Sequence, residues 1–214
     1  MKIIYSLMFL LLFVSYSFAQ SNSDLQVKIN KDTIPAVKEP IPSTFGLKGV
    51  GYFATGATED IGNGGGVGIS YKYNFNKYFG FGVQGLYTYA KFDGSLQGLN
   101  VSTESHMIDT RYLLTLQRET GYYKKGLVPW LDLGVSINVG AFKAHASNDF
   151  ISQSGSVAGV GVGFVIGAGL KYNFEKFYLG ASFDYNLSYN TIYGSNLLVD
   201  TSGLRVNGEL GWRL

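Results

Sequence analysis

Three residues whose types could support hydrolysis lie close together in the chain: Ser102, Glu104 and His106. Their i, i+2, i+4 spacing places all three on one face of an extended strand. A serine–histidine–acid relay needs the imidazole in the middle, touching both nucleophile and acid. Here Glu104 is in the middle, and Ser102 and His106 stand about 13 Å apart along a strand. The trio therefore reads as a polar rim, and the chain is expected not to be an enzyme. His145 does not change this, because a register pairing residue 118 with 127 sets His106 opposite Val139 and His145 opposite residue 100. Two distant histidines, with no cysteine in the chain, hold no metal. Gly159-Val160-Gly161-Val162-Gly163 precedes no helical pattern and so lacks the helix N-terminus that a phosphate site uses. Gly64-Gly65-Gly66, near Glu59 and Asp60, reads as a mobile loop. No cofactor is expected.

A larger set of charged residues shares one parity. Lys48, Lys72, Asp109, Arg111, Asp132, Lys171, Asp184, Arg205, Glu209 and Arg213 sit at positions that alternate with apolar residues. The clearest stretch runs from Phe177 to Tyr189, where Phe177, Leu179, Ala181, Phe183, Tyr185, Leu187 and Tyr189 share one face and Gly180, Ser182, Asp184, Asn186 and Ser188 the other. A period of two over such a length marks a strand with one apolar and one polar face. It exceeds the ~5–6 residues usual in soluble sheets and suits a tilted membrane strand of about 9–11.

Eight such segments follow one another, at roughly 44–56, 66–75, 79–92, 101–118, 127–143, 156–174, 177–190 and 203–214. Lys72-Tyr73-Asn74-Phe75-Asn76-Lys77 returns as Lys171-Tyr172-Asn173-Phe174-Glu175-Lys176, four segments later. Repetition of a hairpin halfway round fits an all-β, eight-stranded, antiparallel up-and-down barrel. Partners across a turn must share a face. A two-residue turn at Glu175-Lys176 pairs Phe174 with Phe177, whereas the first copy needs one extra residue to pair Phe75 with Phe79. On that side the connections after the second and sixth segments are very short, and 119–126 is longer but compact. The opposite ones, about 57–65, 93–100, 144–155 and 191–202, are longer, an asymmetry of outer-membrane barrels.

Composition agrees. Charged residues make up 15%, aromatics another 15%, and 29 residues are glycine. Low charge with many rings suits a surface that faces lipid. Tyr71, Tyr73, Phe75, Phe79, Phe81, Tyr172, Phe174, Phe177 and Trp212 fall near the turn end. Phe53, Tyr87, Tyr89, Phe92, Phe142, Tyr185 and Tyr189 fall near the loop end, so two aromatic girdles are expected. No basic stretch is dense enough for nucleic acid. Residues 1–19, with Lys2, an apolar run from Ile3 to Val14 and Ser17-Phe18-Ala19, read as a signal peptide. Residues 20–43, with Pro35, Pro40 and Pro42, read as a short disordered periplasmic tail, and 44–214 as the barrel.

These features resemble the small eight-stranded outer-membrane β-barrel proteins of Gram-negative envelopes, the outer membrane protein beta-barrel domain family. The resemblance rests on the alternating segments and on a last strand ending Glu209-Leu210-Gly211-Trp212-Arg213-Leu214. It implies a location in the outer membrane, contact with its lipid, and recognition of the C-terminal strand by the barrel-assembly machinery. The chain departs from the family in closing on Leu214 instead of an aromatic residue. With the apolar parity outward, six basic and four acidic groups point into a lumen that side chains can fill. A structural or surface-interaction role with a plugged lumen is the expectation. A narrow pore is the alternative, since Gly159, Gly161, Gly163, Gly167 and Gly169 share the inward parity; an outer-leaflet lipid hydrolase is a further one.

Overall fold

The alternating segments pair into one ring. A computed structural model describes residues 41–55, 62–96, 99–121, 124–147, 152–194 and 198–214. The expected signal peptide, residues 20–40 of the expected tail, and Glu59 and Asp60 lie outside them. The strands are β1 (Thr44–Ala54), β2 (Asn63–Asn74), β3 (Phe79–Leu96), β4 (Leu99–Gln117), β5 (Gly126–Ser147), β6 (Ser152–Asn173), β7 (Phe177–Ile192), β8 (Leu198–Asp200) and β9 (Gly203–Arg213). Neighbours from β1 to β7 pair antiparallel in sequence order, and β9 closes the ring between β7 and β1. Eight strands thus form the ring, and closure leaves no edge within the membrane. The three-residue β8 is an addition, paired to the end of β7 within the stretch read as the last outer loop.

Parity is obeyed round the ring. Outward positions between the Phe79 and Tyr89 levels hold Leu47, Ile69, Val83, Leu114, Leu133, Val135, Phe164, Phe183 and Val206, and no charged residue among those described. The ten residue steps from Phe79 to Tyr89 span ~33 Å along the strand, or about 25 Å at a ~40° tilt, the height of a barrel's apolar band. Val162 is 71% exposed, a loss that only lipid contact removes. No helix among the described residues is long and apolar enough to cross a membrane.

The turns resolve the two copies of the repeat. Phe174 N–H donates to Phe177 O at 2.9 Å across a two-residue turn, and the two rings stack at 4.4 Å. Phe75 N–H donates to Phe79 O at 3.0 Å across the three residues Asn76-Lys77-Tyr78. The Asn76 carboxamide accepts from the backbone of Tyr78 and Phe79, which holds the longer turn.

On the outer side the strands differ from the sequence reading. β3 and β4 continue to Leu96 and from Leu99, and β5 and β6 to Ser147 and from Ser152. The stretches 93–100 and 144–155 are therefore mostly strand. Above the lipid both faces meet water, so alternation fades while the hydrogen-bonded ladder continues. β1 and β9 have 11 residues each, whereas β5 and β6 have 22. The ring therefore has a tall wall, β3 to β6, and a low one.

Candidate functional site

Inside the ring, the ten charged residues of the inward parity converge from seven strands. Arg111 donates from Nη1 to Asp184 at 2.8 Å and lies 3.7 Å from Asp109, which also accepts from Arg205. Lys48 and Glu209 stand 3.6 Å apart, Lys72 and Asp132 3.9 Å. Glu209 further accepts from Ser70 and Tyr178, and Asp132 from Thr115 and the Trp130 indole. Arg111 and Arg205 are each 1% exposed, so these charges are held by protein and not by water. Lys72 lies over the Trp130 ring and Lys171 over the Tyr178 ring, each at 5.2 Å.

A fifth acid, Glu119, completes the set, and sequence reasoning missed it. It accepts from Lys171 at 2.5 Å and from Asn173 at 2.5 Å, and lies 3.8 Å from Arg213. Its inward parity continues Thr115 and Gln117, a signal hidden because the alternating pattern had been ended at residue 118. Arg213 donates to the carbonyls of Thr120, Gly121, Lys124, Phe174 and Glu175. One guanidinium on the last strand thereby ties two turns together at the base.

The glycines of β6 accommodate neighbours. A Cβ on Gly169 would overlap the Trp130 ring, one on Gly161 the Asn190 carboxamide, and one on Gly163 would come within 2.6–2.7 Å of Ser188, Asn186 and Ser136. The space left by the missing side chains is taken up by these neighbours and does not open a slot along β6. Two inner cavities among the described residues have volumes of about 20 and 10 Å³, one water at most in each.

The outer end of the lumen is apolar. Tyr52, Ala90 and Met107 are buried together, with Ala54, Phe142 and Val199 packed against them. Phe142 has the parity of Asn138 and Phe92 that of Gln84, so both face inward, and the expected outer girdle loses these two rings. Tyr52 donates to Ser202 O at 3.2 Å and stacks under the Arg205 guanidinium at 5.4 Å. Ser188 meets Thr201 at 2.7 Å and accepts from Thr201 N–H at 2.9 Å. These contacts draw the segment after β8 over the mouth.

Ser102, Glu104 and His106 lie on the outward face of β4. The β4–β5 ladder runs two residues away from the expected register, with Gln117 opposite Trp130, because the connection after β4 begins earlier and turns Glu119 inward. His145 therefore stands opposite Ser102, and His106 opposite Ala141. The His106 Nδ1 hydrogen-bonds the Tyr87 hydroxyl at 2.8 Å, and its ring lies 5.1 Å from that of Tyr89. No hydrogen bond joins Ser102 to either histidine among the described residues, and no group of three or more His, Cys, Asp or Glu is placed to hold a metal. Lys91, one row above Tyr89, pairs with Asp93 at 3.0 Å, and that hydrogen bond raises the ammonium pKa.

Comparisons agree with this geometry. Residues 8–210 match the family described as Outer membrane protein beta-barrel domain. A comparison with curated proteins found no sequence match. Among solved structures, the outer membrane protein OprG from Pseudomonas aeruginosa is 15% identical, covering 81% of this chain and 97% of its own, with a TM-score of 0.58. Neisserial surface protein A is 14% identical over 80% of this chain and 97% of its own, with a TM-score of 0.44. The attachment invasion locus protein Ail of Yersinia pestis, in complex with the heparin analogue sucrose octasulfate, is 20% identical over 81% and 97%, with a TM-score of 0.41. With its ring of eight strands, lipid-facing exterior and matched sequence, the chain belongs to the outer membrane protein beta-barrel domain family and resides in the outer membrane of a Gram-negative envelope.

Proposed function

We infer that this barrel is a non-catalytic surface-interaction protein with a plugged lumen, whose tall wall receives an extended segment of another protein by strand addition. One observation carries the reading: the β6 edge is open above the membrane. Pairing of β6 with β7 starts at Gly159 opposite Ile192, while pairing with β5 continues to Ser152. The stretch Ser152 to Val157 thus has a ladder partner on one side only, among the described residues. Its sequence, Ser-Gln-Ser-Gly-Ser-Val, has none of the charges or prolines that blunt exposed edges. Main-chain groups there can give affinity to a partner strand, and side-chain pockets specificity. The charge lattice and apolar cap leave water-sized voids below, which supports a scaffold over a pore.

Ala158 O accepts from Tyr193 N–H at 2.9 Å on the β7 side. In an antiparallel ladder a residue's N–H and C=O point the same way, so Ser156 and Ser154 also face the open side. Proline at both positions removes two edge donors and spares the β5 ladder. Panning a library of extended decapeptides on nanodisc-embedded protein should enrich binders that lose at least tenfold in affinity for Ser154→Pro/Ser156→Pro and keep it for Ser154→Ala/Ser156→Ala. Binders indifferent to the proline pair, or no enrichment at all, would refute strand addition.

A further inference from the structure

The inner face of the tall wall carries apolar side chains that lipid cannot reach. Phe142 pairs with Val157 and Ala144 with Gly155, all of inward parity, and Thr103 and Ser105 of β4 stand beside them. Val157 is 47% exposed although it points toward the mouth axis. On the opposite side, β8 is held to β7 through Asn190 and Val199. Between these walls lies a cavity of about 540 Å³, lined by Thr103, Ser105, Phe142, Ala144, Val157 and Val199 among others. Two of its lining residues, Phe142 and Val199, pack on the cluster of Tyr52, Ala90 and Met107, which floors it above the charge lattice.

We propose that this hollow is a binding site for a compact, neutral, mainly apolar small molecule carrying a hydrogen-bonding group. The volume falls in the range of small-molecule pockets, about 300–1,000 Å³, which are mostly apolar with a few placed polar groups. The hydroxyls of Thr103 and Ser105 supply those polar groups, and the Ser105 hydroxyl already leans on Ala90 O at 3.4 Å. Exposed apolar surface at this height is not a lipid contact, because lipid meets only the outward parity. Glu104 and Lys143 stand opposite each other across β4 and β5, and the remaining charge of the lining, the Asp200 carboxylate, accepts from Ser202 N–H at 2.8 Å; the Phe142, Ala144, Val157 and Val199 surfaces between them are uncharged and disfavour a charged ligand. The floor makes the site a dead end, so the ligand is held and not passed. The hollow shares Gly155 and Val157 with the β6 edge but uses their inner face, whereas strand addition uses the main-chain groups of Ser154 and Ser156.

The test uses full-length mature protein in phospholipid nanodiscs with 13C-methyl-labelled alanine and valine, titrated with indole as a neutral aromatic probe. Saturable shifts are expected at Ala144, Val157 and Val199. The outward Val67 and Val162 report partition of indole into lipid and should shift linearly and less. Ala144→Trp fills the hollow, and Val157→Asp places a charge in its wall; folding of each is checked by the gel shift between folded and boiled protein. Each should weaken indole binding at least tenfold. Shifts at Val157 and Val199 that are linear and no larger than at Val162, or saturable binding unchanged in both variants, would overturn the proposal.

Discussion

Replacing Glu119 by alanine should destabilise the barrel more than any other single carboxylate truncation at its base. The side chain is fully buried and accepts from Lys171 and Asn173, with Arg213 at 3.8 Å. Truncation leaves the Lys171 ammonium, itself 3% exposed, without a counter-ion. Breaking a buried pair from one side typically costs about 3–5 kcal/mol. Two features pull the value toward the lower end. Arg213 keeps five carbonyl partners in the turns, and Lys171 keeps the face of the Tyr178 ring. About 3 kcal/mol is therefore expected. Glu119→Gln retains an acceptor and loses the charge, and should cost about 1–2 kcal/mol. Lys171→Met removes the stranded cation, so adding it to Glu119→Ala should recover part of the loss, with a coupling of about 1–3 kcal/mol.

The assay is equilibrium unfolding in urea from phospholipid vesicles, read by the fluorescence of Trp130 and Trp212 and by gel mobility. With an m-value of ~2 kcal/mol/M, a loss of about 3 kcal/mol moves the midpoint by roughly 1.5 M. A shift below about 0.5 M at that m-value, or a double variant whose losses simply add, would show that water screens these charges and that the base is not sealed.

Three further outcomes are expected. Phe183→Arg places a cation near the middle of the lipid band, where Phe183 is 48% exposed, and should cost about 2–4 kcal/mol in the same unfolding assay. Gly169→Ala forces a methyl into the Trp130 ring and should cost about 1–3 kcal/mol, accompanied by a change in Trp130 emission. In planar bilayers the protein should show no stable unitary conductance in molar salt, and Arg205→Glu, which breaks the link to Asp109, should introduce current noise without a selective open level; a steady open level in the unmutated protein would replace the scaffold reading with a pore.

The eight segments were legible because lipid and lumen impose opposite demands on alternate residues, and that demand holds only within the membrane. Above it, residues 93–96 and 152–155 remain in strands though they carry no alternation, so they read as loop. Phe92 and Phe142 show the limit of residue type: an aromatic ring suits an interface girdle and a mouth plug equally, and only the parity shared with Gln84 and Asn138 distinguishes them. Tyr52 and Met107 interrupt the polar face on inward positions, and that interruption is the sequence trace of the apolar cap. Glu119 left a trace too, as one further odd-numbered step beyond Gln117. The partners within the lumen were not legible, because parity fixes the face of a side chain and not the stagger between strands. The two-residue shift of the β4–β5 ladder is such a stagger, and it moves His145 from opposite residue 100 to opposite Ser102.

The distribution of polar and apolar groups along the lumen bears on how the outer surface can achieve specificity. Paired charges run from Glu119 at the base up to Asp109 and Arg205, and Tyr52, Ala90, Met107 and Phe142 pack together above them. An apolar layer over a compensated lattice leaves little field at the mouth, since the buried charges pair within a few ångströms of one another. Ion pairing thus stabilises the lower barrel without advertising charge to the exterior. On the proposed surface-interaction role, recognition rests on what stands above the cap: the open backbone edge of β6, the apolar hollow between the wall and β8, and the balanced Lys91, Asp93, Glu104 and Lys143 of the outward face. None of these is a strong electrostatic attractor. Association at this surface should accordingly depend weakly on salt, and binding by the edge peptides that changes less than threefold between 50 and 500 mM NaCl would fit that origin, whereas a steep salt dependence would place the contact on charges outside the wall.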